Sequence, residues 1–215
     1  MLKRFSAFAA AVVLTLLLCS CGVSASDAQT YVKGHLYSVY LNIHSEKYLE
    51  LTDSDISECK NDYAQGIEQE VEYFLSYAQI EGVSDETVER INRMYRQIYP
   101  HSKYEVGEVT KGSDRLFVSV TVYPIDVIVK AYDNGIEAFT EEFGRRADAG
   151  EFDDISDAER EELWADGIIS AVEAQLDSVG YLEPVTISAQ IIEEDGDYVL
   201  SEDDLRRIDE LIIQY

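Results

Sequence analysis

The sequence predicts an α+β fold in which two similar helix-helix-β-hairpin units join their hairpins into a four-stranded antiparallel sheet packed by helices. Apolar residues recur at helical spacing through the first hundred residues, switch to strict alternation between Leu116 and Tyr123, and then repeat that succession. Aligning the chain with itself at a shift of 165 − 64 = 101 pairs Ala64, Gly66, Ile67, Val71, Glu72 and Leu75 with Ala165, Gly167, Ile168, Val172, Glu173 and Leu176. Six identities in twelve positions, with Tyr31 and Gly34 falling on Tyr132 and Gly135, point to an internal duplication with halves 31–124 and 125–215. A mid-helix glycine costs about 1 kcal/mol against alanine and is kept mainly where helices pack closely. No Pro/Gly/Ser-rich linker separates the halves, so 31–215 is expected as one compact domain with helices on one face of the sheet.

The elements follow in order. Val32, Leu36, Val39, Tyr40 and Ile43 lie on one face of a first helix; Ile67, Val71, Phe74, Leu75 and Ala78 define a second. A third begins at a Ser84 cap, carries Val88, Ile91, Met94, Tyr95 and Ile98, and is stopped by Pro100. Tyr104 to Thr110 and Leu116 to Tyr123 form a hairpin through Lys111-Gly112-Ser113-Asp114. Helical spacing returns as Ile128, Tyr132, Ile136, Phe139 and Phe143. The next helix opens on a Ser156-Asp157-Ala158-Glu159 capping box and carries Leu163, Ile168, Ala171, Val172 and Leu176. Val185 to Ile192 and Tyr198 to Leu200 pair around Glu194-Asp195-Gly196-Asp197, and a last short helix starts at Asp203 with Ser201 as cap.

Lys3 and Arg4, a run of small and apolar residues from Ala7 to Leu18, and Leu18-Cys19-Ser20-Cys21-Gly22 have the order of a secretory signal. The run falls short of the roughly 20 apolar residues that span a bilayer. Its end resembles the lipobox of bacterial lipoproteins, with Leu18 three before the acceptor, small Ser20 just before it, and Cys21 as the lipidated residue. Cys19 at the second lipobox place is less usual, and as acceptor it would put Leu17 and Leu18 where a small residue belongs. Residues 1–20 are then the signal and 21–30 a lipidated tether. Two acyl chains on Cys21 supply stable membrane anchoring, and the mature chain has 215 − 20 = 195 residues.

The signal holds two of the 17 basic residues, so the mature net charge is 15 − 43 = −28. That charge repels nucleic acid and anionic lipid, and it favours cationic partners or plain solubility. With Cys19 removed and Cys21 acylated, Cys59 is the one remaining cysteine. Its acidic neighbourhood, Asp53-Ser54-Asp55-Ile56-Ser57-Glu58, is the reverse of what activates a thiol.

No nucleophile elbow, phosphate loop, dinucleotide fingerprint or zinc-protease motif is present. His35, His44 and His101 have no ligand-like neighbours at helical spacing, and the first two are expected on the surface or edge of the first helix. No catalytic residue, metal site or cofactor is therefore predicted. Acidic pairs such as Asp153-Asp154 and Glu193-Glu194 are expected on solvated faces of so acidic a chain, and the acidic turns do not follow the EF-hand spacing.

Fifteen tyrosines are the remaining signal, and Tyr31, Tyr37, Tyr40 and Tyr48 crowd the first helix region. Tyrosine offers a flat apolar body and a polar tip, which suits either the wet margin of a thin core or a face that binds sugar or protein. These four are the candidate ligand-binding residues.

The chain resembles a family of uncharacterised lipoproteins from Gram-positive bacteria. The resemblance rests on Leu18-Cys19-Ser20-Cys21, Lys103-Tyr104-Glu105-Val106-Gly107-Glu108, Val120-Thr121-Val122-Tyr123-Pro124-Ile125-Asp126 and Gly180-Tyr181-Leu182-Glu183-Pro184. It implies an extracytoplasmic protein, lipid-anchored to the cell membrane through Cys21, and carries no activity with it. The expected role is a non-enzymatic binding or interaction module with a protein or cell-wall ligand. The alternative is a carboxylate-based hydrolase acting on wall sugars or peptides, which requires a cleft with two Asp or Glu and one raised pKa.

Overall fold

The alternation between Leu116 and Tyr123 becomes the central strand of the fold. A computed structural model describes residues 23–194 and 197–215. The signal segment, Cys21 and Gly22, and Asp195 and Gly196 at the tip of the second hairpin lie outside the described residues. Strands β1 (Lys103–Lys111), β2 (Leu116–Tyr123), β3 (Val185–Glu194) and β4 (Asp197–Leu200) form one antiparallel sheet in the order β1-β2-β3-β4. Val118, Val120 and Val122 of β2 point into the core beside Ile187, Ala189 and Ile191 of β3. Ser119, Thr121, Thr186 and Ser188 stand on the other, open face. The fold class and the joining of the two hairpins are as the sequence predicts.

Helices cover one face only. These are α1 (Ala25–Leu41), α2 (Glu46–Thr52), α3 (Ile56–Tyr77), α4 (Asp85–Ile98), α5 (Val127–Ala131), α6 (Glu137–Asp148), α7 (Asp157–Glu173) and α8 (Glu202–Ile212). Helices α1 and α8 lie against the strands, α3 packs on α1, and α4 bridges α3 to α7. One apolar cluster runs from Ala28 to Ile213 and includes every one of those layers. The Ser84 cap and the Ser156–Glu159 capping box form as expected. In β1 the register slips between Val106 and Val109, and the carbonyls of Val106 and Gly107 accept hydrogen bonds from Gln29 of α1 at 3.2 and 3.0 Å. The bulge thus re-aims two ladder acceptors toward the first helix.

Several expectations are corrected. The stretch expected as a tether is helical from Ala25, with Ser24 as cap and Ala28 fully buried, so only Gly22 to Ser24 separate Cys21 from α1. Small residues there serve helix packing on the β1 bulge. Ile43 falls beyond the Asn42 C-cap and is 52% exposed, and Leu163 is 45% exposed on α7. The Ser201 hydroxyl makes no cap bond; its carbonyl accepts from Asp204 instead.

Two elements escaped the periodicity. Helix α2 is only seven residues long, and α5 and α6 are joined by a single π turn at Tyr132–Ile136, closed by a bond from the Glu137 amide to the Tyr132 carbonyl. The duplication is not confirmed, because the paired glycines make different contacts. Gly34 makes room for Tyr48, whereas Gly135 lies against Ala171, and Gly167 sits under the ring of Phe139.

Candidate functional site

Helix α1 is enclosed by the sheet on one side and α2 and α3 on the other, and that placement decides the fate of its tyrosines. Tyr31, Tyr40 and Tyr48 are buried, leaving Tyr37 as the half-buried member of the four, edge-on to Tyr104 at 5.5 Å. A ligand approaching α1 would meet Tyr37 and Lys33 beside it, not an aromatic face. The buried hydroxyls are used internally. Tyr31 accepts from the Leu200 amide at 3.3 Å, and burial pushes its phenol up to about 12 despite that bond. Burial likewise raises Tyr48, helped by the neighbouring Tyr31 and Cys59. Cys59 is buried too, and burial raises its thiol above the ordinary value.

His35 is corrected in the same way: it is 3% exposed and shares a hydrogen bond of 3.2 Å with the Tyr48 hydroxyl. His44 holds the edge position, bonded to Ser38 and Asn42. Burial lowers the His35 imidazole to about 4. Unfolded, the same ring titrates near 6.5, so between those values the unfolded chain binds more protons than the folded one. The stability that neutral His35 provides is therefore complete above pH 6.5 and is lost as the pH falls toward 4. We expect the wild type to lose about 3 kcal/mol more than His35→Gln across that interval. Urea titrations of both proteins at pH 7, 5.5 and 4.5 check this; parallel curves would show that the ring titrates normally.

Surface tyrosines come together elsewhere. Tyr73 and Tyr77 of α3, Tyr132 at the start of the π turn, and the C-terminal Tyr215 gather from three separate stretches of chain. Tyr215 stands edge-on to Tyr73 at 4.9 Å and to Tyr77 at 4.8 Å, and Tyr132 lies near enough to raise the Tyr77 phenol beyond the effect of burial. Tyr77 is 39% and Tyr132 48% exposed; the ring contacts among the described residues join Tyr73, Tyr77 and Tyr215, and Tyr132 stands nearby without one. The π turn inserts one residue into the α5–α6 helix, and such insertions are frequent at functional sites.

The face has a rigid base. The hydroxyls of Tyr215 and Tyr99 both donate to the buried carboxylate of Glu70, the second at 3.0 Å, and Tyr215 also bonds the Tyr95 hydroxyl. Tyr99 in turn stacks on Tyr40 with rings 6.1 Å apart and nearly parallel. Tyrosines close together in sequence do not include this set, which tertiary contacts join; the four-residue spacing of Tyr73 and Tyr77 on one helix face is its local signal.

Two further buried carboxylates, Asp126 and Asp204, are tied into internal contacts. Asp126 pairs with Lys130 at 3.0 Å and accepts from the Gly180 amide at 2.8 Å; Asp204 accepts from the Gln190 amide and from Arg207, both at 2.9 Å. Asp126 thereby ties the Gly180 loop to the start of α5, and Asp204 ties strand β3 to α8. Asp62 is a carboxyl raised by burial and by Glu58 one turn away. Among the described residues, no three His, Cys, Asp or Glu are grouped to hold a metal ion, and no helix is long and apolar enough to cross a membrane.

No family model and no curated protein matches the chain. A crystal structure of ycdA from Bacillus subtilis strain 168, described as a candidate lipoprotein, shares the fold with a TM-score of 0.55 at 15% identity. The match covers 88% of this chain and 56% of that one, so this chain spans little more than half of its neighbour's length. At that identity the likeness concerns the fold.

Proposed function

We propose that the protein is a lipid-anchored extracytoplasmic binding module, without catalytic activity, whose contact surface is the face of Tyr73, Tyr77, Tyr132 and Tyr215. The observation that carries this reading is the face itself: four tyrosines from three segments, half-open to solvent, braced from below by Glu70. Flat rings with hydroxyl tips remain soluble when empty and stack on the apolar faces of sugar rings when filled, which makes wall glycan the ligand class of choice.

Anchoring is supported by the lipobox-like Leu18 to Cys21 and by the fold shared with a protein described as a candidate lipoprotein. It also gives the body an orientation. Three residues, Gly22 to Ser24, reach about 10 Å at full extension. Val23 lines a small pocket with Lys111, Arg115, Glu193 and Tyr198, so both hairpin turns stand beside the chain's entry. Tyr215 follows Ile213, which bridges Ile125 just past the opposite end of β2. An anchor at Cys21 would hold the hairpin turns against the membrane and leave the tyrosine face directed away, toward the wall.

The test is the melting temperature of the mature chain in nonionic detergent, titrated separately with wall glycan fragments, calcium and spermidine. Ligand at a hundred times its Kd stabilises by about 2.7 kcal/mol, which raises Tm by roughly 5 to 10 °C in a chain of this size. The glycan arm is expected to give that saturable rise, and Tyr77→Ala with Tyr132→Ala to abolish it while the variant keeps a cooperative unfolding transition, its unliganded Tm lowered by the loss of two half-exposed rings. A flat glycan arm, or a rise that survives the double substitution, would remove the proposal; a rise with spermidine alone would make the face a cation site instead.

A further inference from the structure

A second surface is built from different residues. Helix α7 presents Glu159, Glu162, Leu163 and Asp166 at i, i+3, i+4 and i+7, one stripe covering about 10 Å of helix. The stripe borders an open groove of about 600 Å³, with Ile155 and Ala158 adding apolar lining and Arg90 of α4 on the facing wall. Leu163 is the large exposed apolar side chain of this groove, and the sequence pattern had it facing the core.

The acidic rim is held in place by the protein. Glu162 accepts from the Thr87 hydroxyl and the Ser84 amide, both at 2.5 Å, which lowers its carboxyl below the ordinary value and ties α7 to the start of α4. Arg90 reaches Asp166 at 2.6 Å, Glu173 at 2.6 Å and Ser170 at 2.9 Å, so its guanidinium is already engaged. Glu159, Glu162, Asp166 and Glu173 against Arg90 leave 1 − 4 = −3 around an apolar strip.

From this pairing of charge and shape we infer that the groove docks a short cationic amphipathic helix of a partner protein. An apolar side chain would rest on Leu163, Ile155 and Ala158, with Lys or Arg along the carboxylate rim. Helix-in-groove recognition uses anchors at i, i+3 or i+4 and i+7, and two turns of a partner helix match the length of the stripe. The rim's sign disfavours nucleic acid and anionic lipid. A second copy of this chain, at −26 for the full sequence, is opposed by its own charge.

The probe is a fluorescein-labelled 15-residue helical peptide with Leu at i, i+4 and i+7 and Lys on both flanks, compared with a scramble of the same composition. Anisotropy titrations use the full mature chain in nonionic detergent. Binding of the patterned peptide is expected to be saturable and at least tenfold tighter than the scramble. Leu163→Ser, at an exposed position, should weaken it at least tenfold, and Glu159→Gln, which removes the charge but keeps the acceptor for the Ser156 amide, severalfold, each with Tm unchanged. The Tyr77→Ala, Tyr132→Ala protein should bind the peptide normally, which separates this surface from the tyrosine face. Equal binding of the scramble, retention in Leu163→Ser, or no binding at all would overturn the inference. So would a dimer in sedimentation that Leu163→Ser dissolves, since the groove would then belong to a second copy.

Discussion

Gly34→Ala is expected to lower the melting temperature by about 4 to 8 °C, although alanine is the better helix former by about 1 kcal/mol. A methyl group at Gly34 would stand 2.5 Å from Cβ, Cγ and Cδ2 of Tyr48. Of those three atoms Cβ cannot rotate away, because it is fixed to the backbone of α2. The Tyr48 ring is fully buried, 6.4 Å from Tyr31 and 6.5 Å from His35, and its hydroxyl is bonded to His35. Relief therefore requires α2 to move as a body away from α1. Overpacking of a filled core costs about 1 to 3 kcal/mol, toward the upper end when backbone must shift. A packing loss of about 3 kcal/mol outweighs the gain of about 1 kcal/mol in helix propensity, a net loss of about 2 kcal/mol. A thermal scan by circular dichroism reads it; a variant as stable as the wild type would mean that α2 yields without cost.

Glu70→Ala should remove about 3 to 4 kcal/mol from the free energy of unfolding, measured by urea titration at pH 7. The carboxylate is 1% exposed and accepts from Tyr99 and Tyr215, so its loss takes an acceptor from two hydroxyls, of which Tyr215 keeps its bond to Tyr95, and leaves a void in the core. Hydrogen bonds to a charged acceptor contribute about 1.5 to 3 kcal/mol, and an unmet buried donor costs about 1 to 3. Glu70→Gln keeps one acceptor oxygen and the volume, and should recover more than half of the loss. Because Glu70 fixes Tyr215, the alanine variant should also weaken any ligand held by the tyrosine face. A change below about 1 kcal/mol would show that the hydroxyls find other acceptors and that the face does not depend on its base.

The contrast between these two sites shows what was legible beforehand. Gly34 was marked in the sequence as a helix glycine that must have a packing reason, but the partner it accommodates, Tyr48, lies in a seven-residue helix too short to show a period. Glu70 carried no mark at all. In a chain with 43 acidic residues one buried carboxylate looks like the rest, and its tyrosine partners are 29 and 145 residues away. The candidate tyrosines Tyr31, Tyr37, Tyr40 and Tyr48 are close in sequence, and around a central helix three of them are buried and Tyr37 half-buried.

Local order determined the strands, the hairpins, the capped starts of α4 and α7 and the α+β class, because alternation, helical spacing and capping residues act over a few positions. It also determined the lipobox-like start and the strongly negative charge, which are properties of composition and order alone. Tertiary structure decided which helix lies innermost, and with it the burial of His35 and of three α1-region tyrosines. It also decided that Leu163 faces water and that Tyr73, Tyr77, Tyr132 and Tyr215 share a surface. The physical reason is that an amphipathic pattern states how much of a helix wants cover, whereas which neighbours supply that cover depends on contacts far apart in the chain.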